Sequence, residues 1–173
     1  PPIHFWFEFA STYSYPAAWR VGGLAADAGA PLEWRPLLLS PVFPHQGWND
    51  SPFNIYPPKG RYMWRDLERL CAKHALPFRQ PSQFPRTTPL AARVACLAVS
   101  EPWGPDFVRA VYHANFVLDR DISRPETLAP ILEALGQPPA PLLARAEAVE
   151  TKAALRPPAD SARALRIFGA PPR

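Results

Sequence analysis

The chain has little cysteine and no long apolar run. Its two cysteines, Cys71 and Cys96, are too few for a disulfide framework and fall in helical patterns, so a reducing, cytoplasmic setting is the default. No stretch nears the ~18 to 20 uninterrupted apolar residues that a membrane span needs. No basic segment followed by an apolar one opens the chain, so no secretory leader is visible. The first residues are Pro1-Pro2 without an initiator Met, in keeping with a trimmed start. Also missing are G-x-S-x-G, the P-loop and G-x-G-x-x-G, so neither a serine-hydrolase elbow nor a nucleotide cradle can be assembled. Cys71 and His74 lie three apart on a helical pattern, with no further Cys/His cluster to complete a metal set. Net charge is +4, and the basic residues, among them Arg61, Arg65, Arg79, Arg86 and Arg93, are scattered rather than run together. That distribution reads as a solvated surface and gives no footprint for nucleic acid.

Proline is what the chain has in excess: 25 of 173 residues, against a usual share of about 5%. Disorder is not the reason. Ten Phe, six Trp and five Tyr are interleaved with the prolines, and 47% of the residues are hydrophobic, which supports a sizeable core. The composition describes a folded chain with many fixed loops.

The opening Ile3-His4-Phe5-Trp6-Phe7-Glu8-Phe9 is short and rich in aromatic and β-branched residues, which predicts a strand with Phe5, Phe7 and Phe9 on one face and His4, Trp6 and Glu8 on the other. A turn at Ser11-Thr12-Tyr13-Ser14 leads into a helix over 14–28 with Pro16 in its first turn, weakened by Gly22-Gly23. A second strand follows over 32–38. Strand, helix and strand in under 40 residues suggest a βαβ unit with parallel strands. Residues 40–60 form a proline-rich loop, long enough to be functional. The rest is helical: 61–76, a helix opened by Thr88-Pro89, one opened by Gly104-Pro105, one from Pro125 closed by Gly136 at C′, one from Pro141 to about Leu155, and a short one over 159–166. A stable sheet wants a third strand, and the one remaining candidate is 166–168. The division is 1–60 for the first α/β part, 61–156 for a helical insertion, and 157–173 for a return to the α/β part.

Open α/β sheets place ligands outside the carboxyl ends of their strands, so the turn at 11–14 is the first candidate site. A helix N-terminus there offers unpaired amides and a positive dipole end, and a serine hydroxyl adds one donor for a negative sulfur or oxygen. Plain N-capping by Ser11 accounts for the same residue type. Lys59, ending the proline-stiffened loop beside Gly60, aims a cation at an anionic ligand or simply sits in solvent. Asn49 and Asn54 bind a peptide-like ligand or satisfy turns. His45 shares that loop with no assigned role, and His113 sits on a helix as a structural residue.

Phe7-Glu8-Phe9-Ala10-Ser11-Thr12-Tyr13-Ser14-Tyr15, Pro58-Lys59-Gly60-Arg61-Tyr62-Met63-Trp64-Arg65-Asp66-Leu67, Ala114-Asn115-Phe116-Val117 and Ile167-Phe168-Gly169-Ala170-Pro171 together resemble the 2-hydroxychromene-2-carboxylate isomerases, relatives of the kappa-class glutathione transferases. The resemblance covers essentially the whole chain. It implies an α/β thioredoxin-like fold of the DsbA/kappa type with a large all-helical insertion. In the DsbA-like branch a Cys-x-x-Cys occupies the turn, and here Ser11 and Ser14 stand in place of both sulfurs, which removes dithiol redox chemistry from that position.

The resemblance further implies a glutathione-dependent cis-trans isomerase in aromatic compound catabolism, with a small anionic substrate, in a bacterial, cytoplasmic homodimer that engages neither membrane nor nucleic acid. Ser11 would hold the glutathione sulfur as thiolate. Tyr13, Asn49 or Asn54, and Lys59 would bind the polar parts of the ligands. Pro171 would be the family's cis-proline, with Ala170 pairing its backbone with glutathione. Thr12 departs from the family's usual proline. The resemblance also implies a C-terminal β-hairpin and final helix that these 173 residues do not contain. The alternatives are a kappa-type glutathione transferase or DsbA-family oxidoreductase-like protein, and a non-catalytic thioredoxin-fold binding module.

Overall fold

A computed structural model describes residues 1–39, 47, 50–155, 157, 160–161, 164–165, 167 and 169–171. Strand β1 (Ile3–Phe7) and strand β2 (Leu32–Pro36) pair in parallel, with Phe5 opposite Trp34 and Phe7 opposite Pro36. Helix α1 (Ser14–Asp27) connects them, so the βαβ start is as expected. Pro16 lies in the first turn of α1, where its missing N–H costs no helical bond, and the helix runs unbroken through Gly22-Gly23. Among the described residues the sheet has two strands. The third-strand candidate at 166–168 lies largely outside them, as do four of the eight residues of the helix expected over 159–166.

The proline-rich segment is more helical than its composition suggests. Helix α2 (Pro52–Ile55) and helix α3 (Pro57–Lys73) follow one another with Tyr56 between them, so Lys59 falls in the first turn of α3 and not in a loop. The physical reason is that Pro52, Pro57 and Pro58 occupy first-turn positions, where a fixed φ favours the helix. The remaining helices are α4 (Pro89–Ala98), α5 (Gly104–Phe116), α6 (Pro125–Ala134), α7 (Pro139–Glu147) and α8 (Val149–Ala154). The single helix expected from Pro141 to about Leu155 is therefore two, broken at Ala148, whose ψ of 152° is extended. Gly136 takes φ 70°, the left-handed conformation that closes α6 at C′.

The aromatic face of β1 builds the main core. Phe5, Phe7 and Phe9 join Trp34, Tyr15, Phe107, Tyr112 and Phe116 in one continuous cluster with the helical block. Several ring pairs meet edge to face, as between Phe5 and Trp34 at 5.1 Å and 87°, and others stack, as Tyr15 does on Phe116. On the opposite face of the sheet Trp6 packs on Leu37, with Leu39 and Ile167 against them. Among the described residues no helix is long and apolar enough to cross a membrane.

Candidate functional site

The chain leaves β1 at Phe7 and reaches α1 at Ser14, and α5 holds the backbone between them. The Tyr112 hydroxyl donates to the Glu8 carbonyl at 2.9 Å, and the Asn115 amide donates to the Phe9 carbonyl at 3.0 Å. Buried carbonyls of an irregular segment need such donors, because no ladder or helix supplies them. The Ser11 amide then donates back to the Glu8 carbonyl at 3.0 Å, which closes the turn.

Ser11 sits at the centre of the result. Its hydroxyl accepts from the Ser14 amide at 3.3 Å and donates to the Ala170 carbonyl at 2.5 Å. The Ala170–Pro171 bond is cis. Thus the residue serves the start of α1, as capping requires, and also reaches a segment distant in sequence. The first turn of α1 carries no acidic residue, so no side chain of that turn offsets the positive helix end. Tyr13 anchors the turn to α3 through a 2.8 Å bond from its hydroxyl to the Asp66 carboxylate. The Thr12 hydroxyl donates to the Met63 sulfur at 3.2 Å, and so the buried polar group has a partner.

Ser11, Tyr13, Lys59, Ala170 and Pro171 all line one cavity of about 960 Å³, at the upper end of the ~300–1,000 Å³ usual for small-molecule sites. Lys59 is exposed and its ammonium lies 5.6 Å over the Phe53 ring. Gly60 beside it is required by packing, since a Cβ there would sit 2.3 Å from the Phe53 carbonyl oxygen. Asn54 does not line the cavity. Its amide nitrogen is engaged by the Asp50 carboxylate and the Phe84 carbonyl. Asn49 and His45 lie outside the described residues.

Three residues of the cavity were not legible as site residues. Glu8 read only as a strand position, yet it is 5% exposed. One carboxylate oxygen accepts from the Ala10 amide at 3.1 Å, and the other accepts from the Thr88 hydroxyl. Burial outweighs these bonds and pushes the Glu8 carboxyl up to about 7. Thr88 read as a capping side chain for α4, but its hydroxyl makes no cap bond there and turns to Glu8 instead. Arg86 read as one of the scattered surface charges, and that is corrected here: it is 7% exposed. Its guanidinium donates to the Asn115 side chain at 3.0 Å and to the Asp119 carboxylate at 2.6 Å. Bonds from Ser82 and Arg86 hold the Asp119 carboxyl down at about 2. A sequence signal did exist for this segment, because Pro-Arg-Thr-Thr-Pro joins two helices and leaves polar groups beside a core that must satisfy them.

Residues 2–172 match the DSBA-like thioredoxin domain model. The chain belongs to that family. The 2-hydroxychromene-2-carboxylate isomerase of Sphingobium xenophagum is 34% identical over 112 residues, which are 64% of this chain and 56% of that protein. The chain thus spans little more than half the length of that curated relative. A solved 2-hydroxychromene-2-carboxylate isomerase superposes with a TM-score of 0.85 at 20% identity, over 96% of this chain and 81% of the other. A probable DsbA oxidoreductase from Streptomyces coelicolor superposes with a TM-score of 0.77 at 18% identity, over 97% and 77%. At these identities the superpositions establish the DsbA-like thioredoxin fold of this family member, as the turn and the cis-proline already suggested.

Proposed function

We propose that this DsbA-like protein is a glutathione-dependent isomerase of the 2-hydroxychromene-2-carboxylate type. The observation that carries the reading is the position of Ser11. It is a hydroxyl at the acid-free N-terminus of α1, in contact with the residue before a cis-proline, on the wall of a cavity with room for a tripeptide and a small acid. The identity to the Sphingobium xenophagum isomerase supports the choice of reaction.

These residues suit glutathione. A thiolate is favoured by a helix N-terminus and a hydroxyl donor, and a peptide backbone pairs with the main chain at Ala170. When bound, glutathione supplies a sulfur nucleophile that adds reversibly to a conjugated carbon and frees rotation about the former double bond. Ser11 would turn its O–H from the Ala170 carbonyl to the sulfur and keep it ionised. Tyr13 fixes the turn that presents Ser11. Lys59 and Arg20, both on the cavity wall, would face the anionic groups of the ligands, and Pro171 shapes the wall beside Ala170.

Kappa-type conjugation would use the same Ser11 geometry and differ in the electrophile. The test is calorimetric titration with glutathione, followed by an assay of 2-hydroxychromene-2-carboxylate interconversion with and without it. Binding with glutathione-dependent interconversion is the expected result. Stable conjugates in place of the isomer would favour the transferase, and binding without any turnover would favour a non-catalytic module. Absence of glutathione binding would remove the reading.

A further inference from the structure

The cavity holds a group that thiolate activation does not use. Among the described residues lining it, Glu8 is the sole carboxyl, whereas Arg20, Lys59 and Arg86 are cations. Guanidinium and ammonium groups offer hydrogen-bond donors only, and the Tyr13 hydroxyl is bonded to Asp66. Glu8 is the one left that can both give and take a proton.

We propose that Glu8 is the proton donor and acceptor of this cavity, passing its carboxyl proton to a substrate oxygen that gains negative charge and taking it back when that charge is withdrawn. The proposal rests on the isomerase reading. When a nucleophile adds to the far end of a conjugated carbonyl, the π electron pair collects on the carbonyl oxygen. The Glu8 O–H bond breaks as the proton bonds to that oxygen, and the carboxylate left behind keeps the Ala10 amide and the Thr88 hydroxyl as donors. When the nucleophile leaves, the electron pair returns to the carbon chain and the proton returns to Glu8. No proton is consumed over the cycle, and no other reactant is needed.

The geometry supports both forms of the carboxyl. Glu8 stands three residues before Ser11, and its own carbonyl accepts from the Ser11 amide, so the two side chains are fixed by one turn. Thr88, which also lines the cavity, is pinned as the residue before α4. Burial keeps the acid form present near neutral pH, with the carboxyl at about 7, where proton transfer is most effective. The groups around Glu8 come from several elements. Tyr112 of α5 bonds its carbonyl and is itself held protonated by burial and by the Glu8 charge. Arg86 precedes Thr88 in the segment before α4, Arg20 comes from α1 and Lys59 from α3. A purely structural pin would need only the two contacts, which a glutamine keeps with its carbonyl accepting from the Ala10 amide and its NH2 donating to the Thr88 hydroxyl.

The experiment uses Glu8→Gln and Thr88→Val in the full chain. Infrared difference spectra taken from mildly acidic to mildly alkaline pH should show a protonated-carboxyl band lost with a midpoint of about 7. That band should be absent in Glu8→Gln and shifted to higher pH in Thr88→Val, because the Thr88 bond lowers the Glu8 pKa. Glu8→Gln should bind glutathione as the parent does but turn over 2-hydroxychromene-2-carboxylate about 10²-fold more slowly, without the fall in rate above neutral pH. A Glu8→Gln protein with parental turnover and pH profile, or one that keeps the infrared band, would overturn the role of Glu8 and leave that of Ser11 intact. A parent chain that binds no glutathione would instead remove the isomerase reading, and this proposal with it.

Discussion

The hydroxyl of Ser11 donates to the carbonyl oxygen of Ala170, 159 positions further along the chain. One bond therefore joins the turn after β1 to the residue before the cis-proline, and both line the same cavity. Ser11→Ala removes that donor. It should leave the fold in place, at a cost of about 1 kcal/mol for the lost bond, and should lower glutathione-dependent isomerisation by about 10²-fold. Ultraviolet titration of the bound thiol checks the cause, since its pKa should rise in the variant.

Lys59 is solvent-exposed and bonded to no carboxylate among the interactions described, so Lys59→Met should change stability by less than about 0.5 kcal/mol. Its loss should weaken glutathione binding by no more than about fivefold, the scale of an exposed ion pair. The salt dependence of the calorimetric affinity should flatten with it. Unchanged affinity at low salt would remove Lys59 from the ligand contacts.

Gly60→Ala forces a Cβ to within 2.3 Å of the Phe53 carbonyl oxygen, and that oxygen belongs to a helix backbone. Either α2 or the first turn of α3 must shift, at about 1–3 kcal/mol. Thermal unfolding should report the loss. Because Lys59 is the adjacent residue, glutathione affinity should fall in parallel.

Asn115→Ala strips the buried Phe9 carbonyl of its side-chain donor and the Arg86 guanidinium of one of its side-chain acceptors, leaving Asp119. A cost of about 2–3 kcal/mol is expected in urea unfolding. The loosened turn should also lower turnover beyond what the unfolded fraction explains, since Ser11 is two residues from Phe9.

The stability of the chain should carry the mark of Glu8. Its folded pKa, at about 7, lies above the ordinary value of 4.5, so the folded state holds the proton more tightly than the unfolded one. Stability from this group is present below about pH 4.5 and is lost as the pH rises through about 7, by up to about 3 kcal/mol. Glu8→Gln should therefore gain stability relative to the parent at alkaline pH. Urea titrations on either side of that window decide it.

Local patterning determined much of this protein. The alternation around Phe5, Phe7 and Phe9 specified β1 and its core face, because a pleated strand sends every second side chain to one side. Prolines at first-turn positions marked the starts of α4, α5 and α6, where a missing N–H costs no helical bond, and the same physics, more widely applied, would have marked α2 and α3. Ser11 was legible as a candidate because it stands between a strand and a helix, where a ligand can meet a helix N-terminus. Glu8, Thr88 and Arg86 were not legible. Each has a polar side chain that local sequence places at a strand end, a helix cap or the surface. Only the tertiary structure brings Thr88 to Glu8 across 80 positions and Arg86 to Asn115 and Asp119 across about 30. Burial, which comes from packing distant segments together, is what shifts a carboxyl toward neutrality and turns a scattered charge into an internal clamp.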